Sequence, residues 1–215
     1  MCLKNNEIMN ALSKLHAILI TWSGERISHR ISSFKSRFFS GLSGQVVEIG
    51  PGGGTNIQFM PKNVVSYIGV EPNATLRKKI NGLKIESTLQ IRCLDSVAEN
   101  IPIPDNYADA VISTFVLCSV RRQDQTLAEV IRVLKPGKPF LFIEHVAATS
   151  AFSRRLQNVL TPCSRIFCAG CEWNRPTGDE IKCTGFTSVD LRDSRAAGLA
   201  TWRPLGPIIF GTALK

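Results

Sequence analysis

Short apolar runs alternate with helical patterns along the chain from residue 45 to residue 215. Runs of about four to eight residues that are rich in Val and Ile and bounded by Gly, Pro or Asn are typical of strands. Seven strands are predicted in this way, over residues 45–49, 64–71, 89–93, 108–115, 139–144, 186–191 and 207–213.

Helices are predicted between these strands, because apolar residues there recur every three or four positions. One begins near Thr55, one follows the capping residue Asn73, and two more cover 123–134 and 177–184. Since strands that alternate with helices form βαβ units, the pattern indicates an α/β fold with a mostly parallel sheet.

The first 44 residues carry a different pattern and are treated as a separate N-terminal segment, with the main domain over 45–215. The longest apolar stretch in this segment, 17–20, is too short to cross a bilayer. Three interpretations are open: a lid over a pocket, a helix on a membrane surface, or a cleaved transit peptide, since the segment is rich in Ser and poor in acids. Its apolar residues share one helical face, at Ile8, Leu12, Leu15, Leu19 and Trp22.

The composition favours one globular domain with a short extension, because 215 residues, 44% of them hydrophobic, can bury a sizeable core. The net charge of +9 suits an anionic surface, either nucleic acid or membrane lipid. No dense Lys/Arg run with interleaved aromatics and no helix-turn-helix or RNA-binding signature is present, so nucleic acid is not an expected partner. In the first 44 residues, basic side chains outnumber Glu7 and Glu25; they are Lys4, Lys14, Arg26, Arg30, Lys35 and Arg37.

The cysteines do not indicate a disulfide framework, because they number seven and no signal-peptide layout precedes them. A reducing compartment fits better. Cys163, Cys168, Cys171 and Cys183 bear some likeness to a zinc set, but zinc clusters normally pair two close knuckles and only Cys168 and Cys171 are close. Buried or half-buried thiols are therefore the preferred interpretation, and no metal site is predicted.

Residues 46–56 read VVEIGPGGGTN and place a glycine-rich turn directly after the first strand. In an open α/β sheet, ligands bind at the carboxyl ends of the strands, and glycine lets the backbone approach a ligand closely. A helix that starts after such a turn offers free N–H groups to an anion. The stretch therefore predicts a ligand-binding turn.

The spacing of the glycines narrows the choice of ligand. The dinucleotide pattern G-x-G-x-x-G fails because Thr55 occupies its sixth position, and no Lys-Ser or Lys-Thr follows the glycines as a P-loop requires. Glu48, Gly50, Gly52 and Gly54 instead form E-x-G-x-G-x-G, which resembles the first motif of class I methyltransferases. The resemblance implies S-adenosyl-L-methionine as cofactor, with Glu48 near its ammonium group.

The same resemblance implies a Rossmann-like class I methyltransferase fold. In that fold a seven-stranded, mostly parallel sheet has an antiparallel last strand and helices on both faces. The methyl donor is already activated, so the protein mainly positions the reactants and excludes water.

Further cofactor contacts are expected at the ends of later strands. Glu71 ends the second strand, where an acid can accept both ribose hydroxyls, although an ordinary surface acid would fit that position too. Residues 97–99 resemble the wall of the adenine site, but many relatives have Asp where Val97 stands, so Ser96 or the backbone would have to replace it. The predicted cofactor-binding set is Glu48, Gly50, Pro51, Gly52, Gly54, Asn56, Glu71, Pro72, Asn73, Val97, Ala98, Glu99, Thr114 and Phe115.

Later segments resemble one branch of these enzymes, the methyltransferase-like protein 7 or thiol S-methyltransferase family with its plant and microbial relatives. The resemblance covers roughly residues 30–215 and is carried by 114–120, 127–137, 142–148, 156–160, 169–171 and 203–204. It implies a small, hydrophobic acceptor, with a thiol as the suggested nucleophile. Animal members carry a long hydrophobic membrane anchor, and no equivalent stretch is found in this sequence.

Three alternatives stay open at this point. One is carbon or oxygen methylation of a quinone-like or phenolic acceptor. Another is a non-catalytic S-adenosylmethionine-binding protein on membranes or lipid droplets. The third, a nucleic-acid methyltransferase, is suggested only by charge, and the usual N-P-P-Y motif is missing at 114–117.

Substrate choice and catalysis are less specified. His145 ends the fifth strand and can take a proton, and Cys118 follows the fourth strand, but neither is assigned and the catalytic residues stay unknown. Residues 146–176 are predicted to form a substrate cap together with the N-terminal helix, although their apolar side chains would also suit a core.

The expected partner is a small-molecule acceptor, and we expect a monomer with peripheral membrane contact through the N-terminal helix. The expected location is the cytoplasm or the surface of intracellular membranes. Import into an organelle stays an alternative.

Overall fold

The computed structural model describes residues 2–83, 88–167, 170–194 and 207–215, and the side chains of these residues except 2–12, 166 and 167. All seven predicted strands are confirmed, and each end lies within two residues of its predicted position. They are β1 Gly44–Ile49, β2 Val64–Val70, β3 Gln90–Leu94, β4 Ala110–Thr114, β5 Pro139–His145, β6 Ser188–Asp193 and β7 Ile208–Leu214.

The strands form one sheet in the order β3-β2-β1-β4-β5-β7-β6. β7 runs antiparallel to β5 and β6, and the remaining pairs are parallel. The predicted fold class is therefore confirmed. The strand order reverses between β1 and β4, so their carboxyl ends open the crevice where ligands bind in such sheets.

The sheet separates two cores because alternate residues of each strand point to opposite faces. Val47 of β1 packs with the helices over residues 123–133 and 177–183, whereas Val46 packs with the chain around Phe39. The described helices are α1 Cys2–Arg30, α2 Ser32–Phe38, α3 Ala74–Asn81, α4 Gln123–Val133, α5 Ala151–Phe167 and α6 Thr177–Cys183.

The prediction of a helix near Thr55 is wrong, because this segment contains only a single 3-10 turn, Ile57–Phe59. Pro61 follows closely and has no N–H to donate to the carbonyl of Ile57, so an α-helix cannot continue there. The glycine turn is consequently followed by a tight turn and lacks the helix N-terminus that the sequence suggested.

The N-terminal segment contains α2 and a long helix, α1, that packs across the main domain. Ala17 is 2% exposed on its inner side, whereas Leu15 and Trp22 of the predicted apolar face are 50% and 57% exposed. The predicted face is thus not the packed face for these residues, and Ile8 and Leu12 have side chains outside the described set. Within the described part of the chain, no helix is both long and apolar enough to cross a membrane.

Candidate functional site

The turn after β1 presents backbone and lacks side chains at the crevice. Gly50, Gly52 and Gly54 have φ angles of 54°, 54° and 76°, in the left-handed region that favours glycine. A Cβ on Gly50 would stand 2.7 Å from Cγ2 of Val116, so the turn is pressed against the loop that follows β4.

Glu48 lies in β1 just before the turn and is 1% exposed. Its Oε1 accepts a hydrogen bond from Asn56 Nδ2 at 2.6 Å, and its Oε2 accepts one from the Tyr67 hydroxyl at 2.5 Å. Asn56 Nδ2 also donates to Thr114 Oγ1 at 3.0 Å. This network ties the glycine turn to β2 and β4.

A buried cation lies near this carboxylate. Lys35 of α2 is 2% exposed, and its Nζ donates to Ser28 Oγ at 3.2 Å. Burial lowers the pKa of Lys35 to about 8, and the charge of Glu48 opposes that shift. Burial also raises the pKa of the Glu48 carboxyl, against the hydrogen bonds from Tyr67 and Asn56. Lys35, counted with the basic residues of the N-terminal segment, is therefore part of the interior.

Asn56 holds an unpaired acceptor at the heart of this network. Among the described residues, its Oδ1 is the buried side-chain polar atom that lacks a hydrogen-bond partner. Nδ2 is committed to Glu48 and Thr114, which orients the amide. A buried acceptor without a donor costs about 1–3 kcal/mol, and an ammonium group would supply the donor. The atom therefore fits the amino-acid end of S-adenosyl-L-methionine.

Glu71 follows β2 and is buried, with 7% of its surface exposed, so it is not an ordinary surface acid. Its Oε1 accepts from the N–H of Asn73 at 2.9 Å, and its Oε2 accepts from the N–H of Gly52 at 3.3 Å. Burial raises the pKa of the Glu71 carboxyl, and the N–H groups and Arg77 oppose the shift. A carboxylate can accept about four hydrogen bonds, which leaves capacity for two ribose hydroxyls.

Pro51, Pro72 and Asn73 surround these acids. Pro51 is buried, and its Cγ would lie 2.8 Å from a Cβ on Gly69, so β2 needs a glycine at that point. Pro72 is exposed. Asn73 caps α3 as predicted, and its Nδ2 donates to the backbone oxygen and to Oγ of Ser13, both at 3.1 Å. The cap of α3 is thereby joined to α1.

The segment predicted as the adenine wall is only partly open to a ligand. Val97 is 45% exposed and Ala98 is 6% exposed. Glu99 Oε1 accepts the backbone N–H groups of 121–122 at 2.7 and 3.3 Å, so it holds the chain that leads into α4. The Ser96 hydroxyl donates to a backbone carbonyl four residues further on at 2.6 Å. Val97 is the member of this segment that a ligand can reach.

Thr114 and Phe115 stand where β4 leaves the sheet. Phe115 has a φ of 59°, which is rare for a bulky residue and turns the chain sharply. Its ring lies against that of His145, with 4.6 Å between the ring centroids. His145 ends β5 at the same edge of the sheet, as the sequence predicted.

Glu144 is a site residue that the sequence analysis did not single out. It is fully buried and accepts from Ser113 Oγ at 2.5 Å and from the N–H groups of Val116 and Leu117, each at 3.1 Å. Burial raises the pKa of its carboxyl, and these hydrogen bonds oppose the shift. The signal available in the sequence was an acid inside an apolar strand, in Phe142-Ile143-Glu144.

Gln157 fixes α5 over the end of β5. It is fully buried, its Oε1 accepts from the N–H of Ala148 at 2.8 Å, and its Nε2 donates to the carbonyls of Val146 and Trp173 at 3.2 and 3.1 Å. Gln157 thereby connects the beginning and the end of the 146–176 segment through its hydrogen bonds.

The apolar side chains of that segment do not fill the core. Phe152 and Val159 are 74% and 72% exposed, and Leu156 and Leu160 are half-buried. The side chains of Ile166 and Phe167 lie outside the described set. Residues 169 and 203–204, which contributed to the family resemblance, lie outside the described residues.

Three of the four cysteines considered as a loose zinc set belong to the described residues, and these three are not buried together. Cys163 and Cys183 are exposed, and Cys168 is outside the described residues. Cys171 is buried beside Cys118 instead, with 3.1 Å between the two sulfurs.

A surface hollow of about 290 Å³ lies between α1 and α3, and two of its lining residues border the glycine turn, since a Cβ on Gly53 would lie 3.3 Å from Thr21 Oγ1 and 3.5 Å from Lys79 Nζ. None of the predicted cofactor-binding residues lines it. We therefore base the site on the buried acids, Asn56 and the glycine turn, whose chemistry matches a ligand with an ammonium group and a ribose.

Comparison with known proteins agrees with this chemistry. A family model described as a methyltransferase domain matches residues 47–142. Human thiol S-methyltransferase TMT1A is 34% identical over 183 residues, which cover 82% of this chain and 74% of that protein. Thiol S-methyltransferase TMT1B of Rattus norvegicus is 34% identical over 198 residues, with coverages of 86% and 80%.

The solved structures show the same fold. An S-adenosylmethionine-dependent methyltransferase from Mesorhizobium loti has a TM-score of 0.61 to this chain at 13% identity, and the match covers 86% of this chain and 98% of that one. These similarities confirm the predicted family resemblance, fold class and cofactor.

Proposed function

Because this chain belongs to the thiol S-methyltransferase family and is an S-adenosyl-L-methionine-dependent methyltransferase, we propose that its acceptor is the thiol of a small, hydrophobic molecule. The observation that carries this proposal is the identity to thiol S-methyltransferases, which extends over most of the chain and includes the segments beyond the cofactor turn. The exposed apolar side chains of Phe152 and Val159 on α5 support a hydrophobic acceptor.

Three groups of this chain would hold the cofactor. Asn56 Oδ1 would accept from its ammonium group, and Glu48 would keep that amide oriented without touching the ligand. Glu71 would accept the ribose hydroxyls, and the bare turn at Gly52 would let the backbone lie against the ligand. When bound, S-adenosyl-L-methionine supplies a methyl group on a positively charged sulfur.

The rest of the chain positions the acceptor and keeps water out. A thiol is a weak nucleophile until it loses its proton, and a few per cent of a free thiol is ionised near neutral pH. Placing that fraction next to an activated methyl group in a closed site raises its effective concentration by several orders of magnitude. A strong general base is then not required.

We propose further that α1 is a lid and that its outer side contacts membranes. A Cβ on Gly52 would lie 3.1 Å from Cγ2 of Ile20, so α1 passes directly over the glycine turn. On the other side of α1, Leu15 is half exposed, and Ile18 and Trp22 are more than half exposed. Arg26 lies next to them and stacks on Trp22. Apolar and basic side chains on one face suit an anionic lipid surface.

Methyl transfer from labelled S-adenosyl-L-methionine to matched panels of alkyl thiols, quinols and phenols tests the acceptor. We expect transfer to thiols, with the rate rising with chain length of the thiol. Transfer to quinols or phenols alone would overturn the thiol proposal. Calorimetry that detects no binding of S-adenosylhomocysteine would overturn the assignment of the cofactor site.

Co-sedimentation with vesicles tests the membrane contact. We expect binding to vesicles that contain anionic lipid, weaker binding of Trp22→Gln, and no change for Phe152→Gln on α5. Equal recovery of all three proteins in the supernatant would contradict it.

A further inference from the structure

Cys118, His145 and Cys171 meet in space although they are separated in sequence. The sulfurs of Cys118 and Cys171 are 3.1 Å apart, and His145 Nδ1 lies 4.0 Å from the first and 3.9 Å from the second. Both cysteines are buried, and the histidine is half-buried. Among the described residues, these are the grouped side chains whose atoms could hold a metal ion.

The surrounding structure holds all three members in place. The Glu144 carboxylate fixes the loop that carries Cys118 through two backbone N–H groups, and the next residue, His145, ends β5. The backbone N–H of Glu172 donates to the carbonyl of Cys118 at 2.8 Å, and Ser164 Oγ donates to the carbonyl of Cys171 at 2.7 Å. The trio is therefore built by three different elements and is not a chance contact of mobile side chains.

Arg175 adds further hydrogen bonds around the three side chains. Arg175 donates to the carbonyls of Leu117 and Val120 at 3.2 and 2.5 Å, and its Nε donates to Glu172 at 2.7 Å. It closes the segment after Cys171 onto the loop of Cys118. The backbone around the two cysteines is thus held by hydrogen bonds that do not depend on the contact between the sulfurs.

The spacing of the three atoms is close to that of a tetrahedral zinc site. Zinc–sulfur bonds of about 2.3 Å and zinc–nitrogen bonds of about 2.0 Å place two sulfurs about 3.7 Å apart and sulfur and nitrogen about 3.5 Å apart. The two cysteines would have to separate and the imidazole approach by only about half an ångström. Side-chain rotation is enough for such changes.

We propose that Cys118, His145 and Cys171 bind one Zn²⁺ ion. Two thiolates and a neutral imidazole are ligands that zinc prefers, and the two thiolate charges balance the charge of the ion, which allows it to be buried. Binding breaks two S–H bonds, forms two Zn–S bonds, and releases two protons to solvent. Three protein ligands leave the fourth position to an outside ligand such as water, as in zinc sites that take part in chemistry.

This site is distinct from the cofactor residues and does not depend on which acceptor is methylated. A disulfide between Cys118 and Cys171 would use the same sulfurs, but it requires an oxidant and a sulfur separation of about 2.05 Å. It would also give no role to the imidazole that faces both sulfurs. Zinc content and mass spectrometry distinguish a zinc site from a disulfide.

Metal content after gel filtration tests the proposal. The full chain, incubated with Zn²⁺ and a reductant and then separated from free metal, should retain about one zinc per chain. Binding should release about two protons for each zinc ion. Cys118→Ser and Cys171→Ser should each lose most of that zinc. Cys163→Ser and Cys183→Ser are matched controls, because both of these cysteines are exposed, and they should retain it.

Cobalt provides a second readout that survives if a cysteine variant fails to fold. The wild-type chain loaded with Co²⁺ should show a thiolate-to-cobalt charge-transfer band, and His145→Gln should alter the visible bands of the same sample. Failure of the wild type to retain zinc, retention that is equal in Cys118→Ser, or absence of the charge-transfer band would each overturn the proposal. So would a Cys118–Cys171 disulfide found by mass spectrometry in protein prepared with zinc present.

Discussion

At the scale of single residues, the two acids at the strand ends, Glu48 and Glu71, differ in their hydrogen-bond donors and in their exposure. Both oxygens of Glu48 already accept from uncharged donors, Asn56 and Tyr67, at 2.6 and 2.5 Å. Glu71 accepts only backbone N–H groups, one of them at 3.3 Å. Each carboxylate therefore keeps lone pairs, but Glu71 is 7% exposed and Glu48 only 1%, so we propose that Glu71 accepts from the ligand and that Glu48 acts through the Asn56 amide that it orients.

We expect Glu71→Ala to weaken the binding of S-adenosylhomocysteine by about 1–3 kcal/mol, the loss typical of charge-assisted hydrogen bonds. Isothermal titration calorimetry measures this. Asp95→Ala is the matched control, because Asp95 is a largely exposed acid that pairs with the same Arg77. If both variants bind like the wild type, Glu71 is not the ribose acceptor.

Lys35 should make the stability depend on pH in the alkaline range. Its pKa is about 8 in the folded chain and 10.5 as a free side chain, so the unfolded chain binds more protons between these values. The free energy of unfolding of the wild type should therefore rise through this window, by up to about 3 kcal/mol relative to Lys35→Met. Urea unfolding of both proteins at several pH values measures the difference.

The control for that series is Lys62→Met, because Lys62 is exposed. We expect its stability to follow the wild type across the same pH range. A constant difference between the wild type and Lys35→Met would contradict the lowered pKa of Lys35.

At the scale of elements, Asn73 joins α3 to α1 with the two ends of one amide. Its Oδ1 accepts from the first N–H groups of α3, and its Nδ2 donates to Ser13 of α1. Asn73→Asp keeps the cap and loses the donor, whereas Asn73→Ala loses both.

We expect Asn73→Ala to cost about 1 kcal/mol of stability and Asn73→Asp much less. Both variants should expose α1 to faster proteolysis and hydrogen exchange, because the link to Ser13 is absent in each. Unchanged exchange of α1 in Asn73→Asp would show that this link does not hold the lid.

Three glycines allow the cost of backbone strain to be measured apart from the cost of steric contact. Gly50 has both, with a φ of 54° and a Cβ that would lie 2.7 Å from Val116. Gly137 has a φ of 71° but open space around its Cβ position, and Gly41 has open space and no positive φ. We expect Gly41→Ala to be nearly neutral, Gly137→Ala to cost about 1 kcal/mol, and Gly50→Ala to cost more. Urea unfolding of the three variants measures the order, and a neutral Gly50→Ala would mean that the turn can move away from the loop after β4.

At the scale of the whole molecule, α1 lies over the glycine turn, so cofactor binding and docking of α1 should be linked. S-adenosylhomocysteine at about a hundred times its Kd should raise the free energy of unfolding by about 2.7 kcal/mol. Hydrogen exchange in α1 should slow in the same sample. Stabilisation without any change in α1 would contradict a lid.

The parts of the fold that were predictable have a repeating local cause. β1, β4 and β5 are largely buried runs, whereas β6 alternates exposed and half-buried positions. Strands of both kinds must pair their backbone groups in a sheet, and the cap at Asn73 is a local hydrogen bond. The helix expected at Thr55 was wrong because the pattern ignored Pro61. α5 was not predicted as a helix, although Phe152, Leu156 and Val159 recur at helical spacing. It also contains Pro162, a residue that is unfavourable inside helices.

The succession of strands and helices along the chain, the glycine turn and the acids that flank it could be predicted from local patterns, because they depend on neighbours within a few residues. The packed face of α1, the burial of Lys35 near Glu48 and the convergence of Cys118, His145 and Cys171 became evident only in the folded chain. Burial and long-range contact depend on how β4, β5 and the segment after α5 are brought together. No local pattern encodes the distances among Cys118, His145 and Cys171, which are separated by 26 to 53 positions in the sequence.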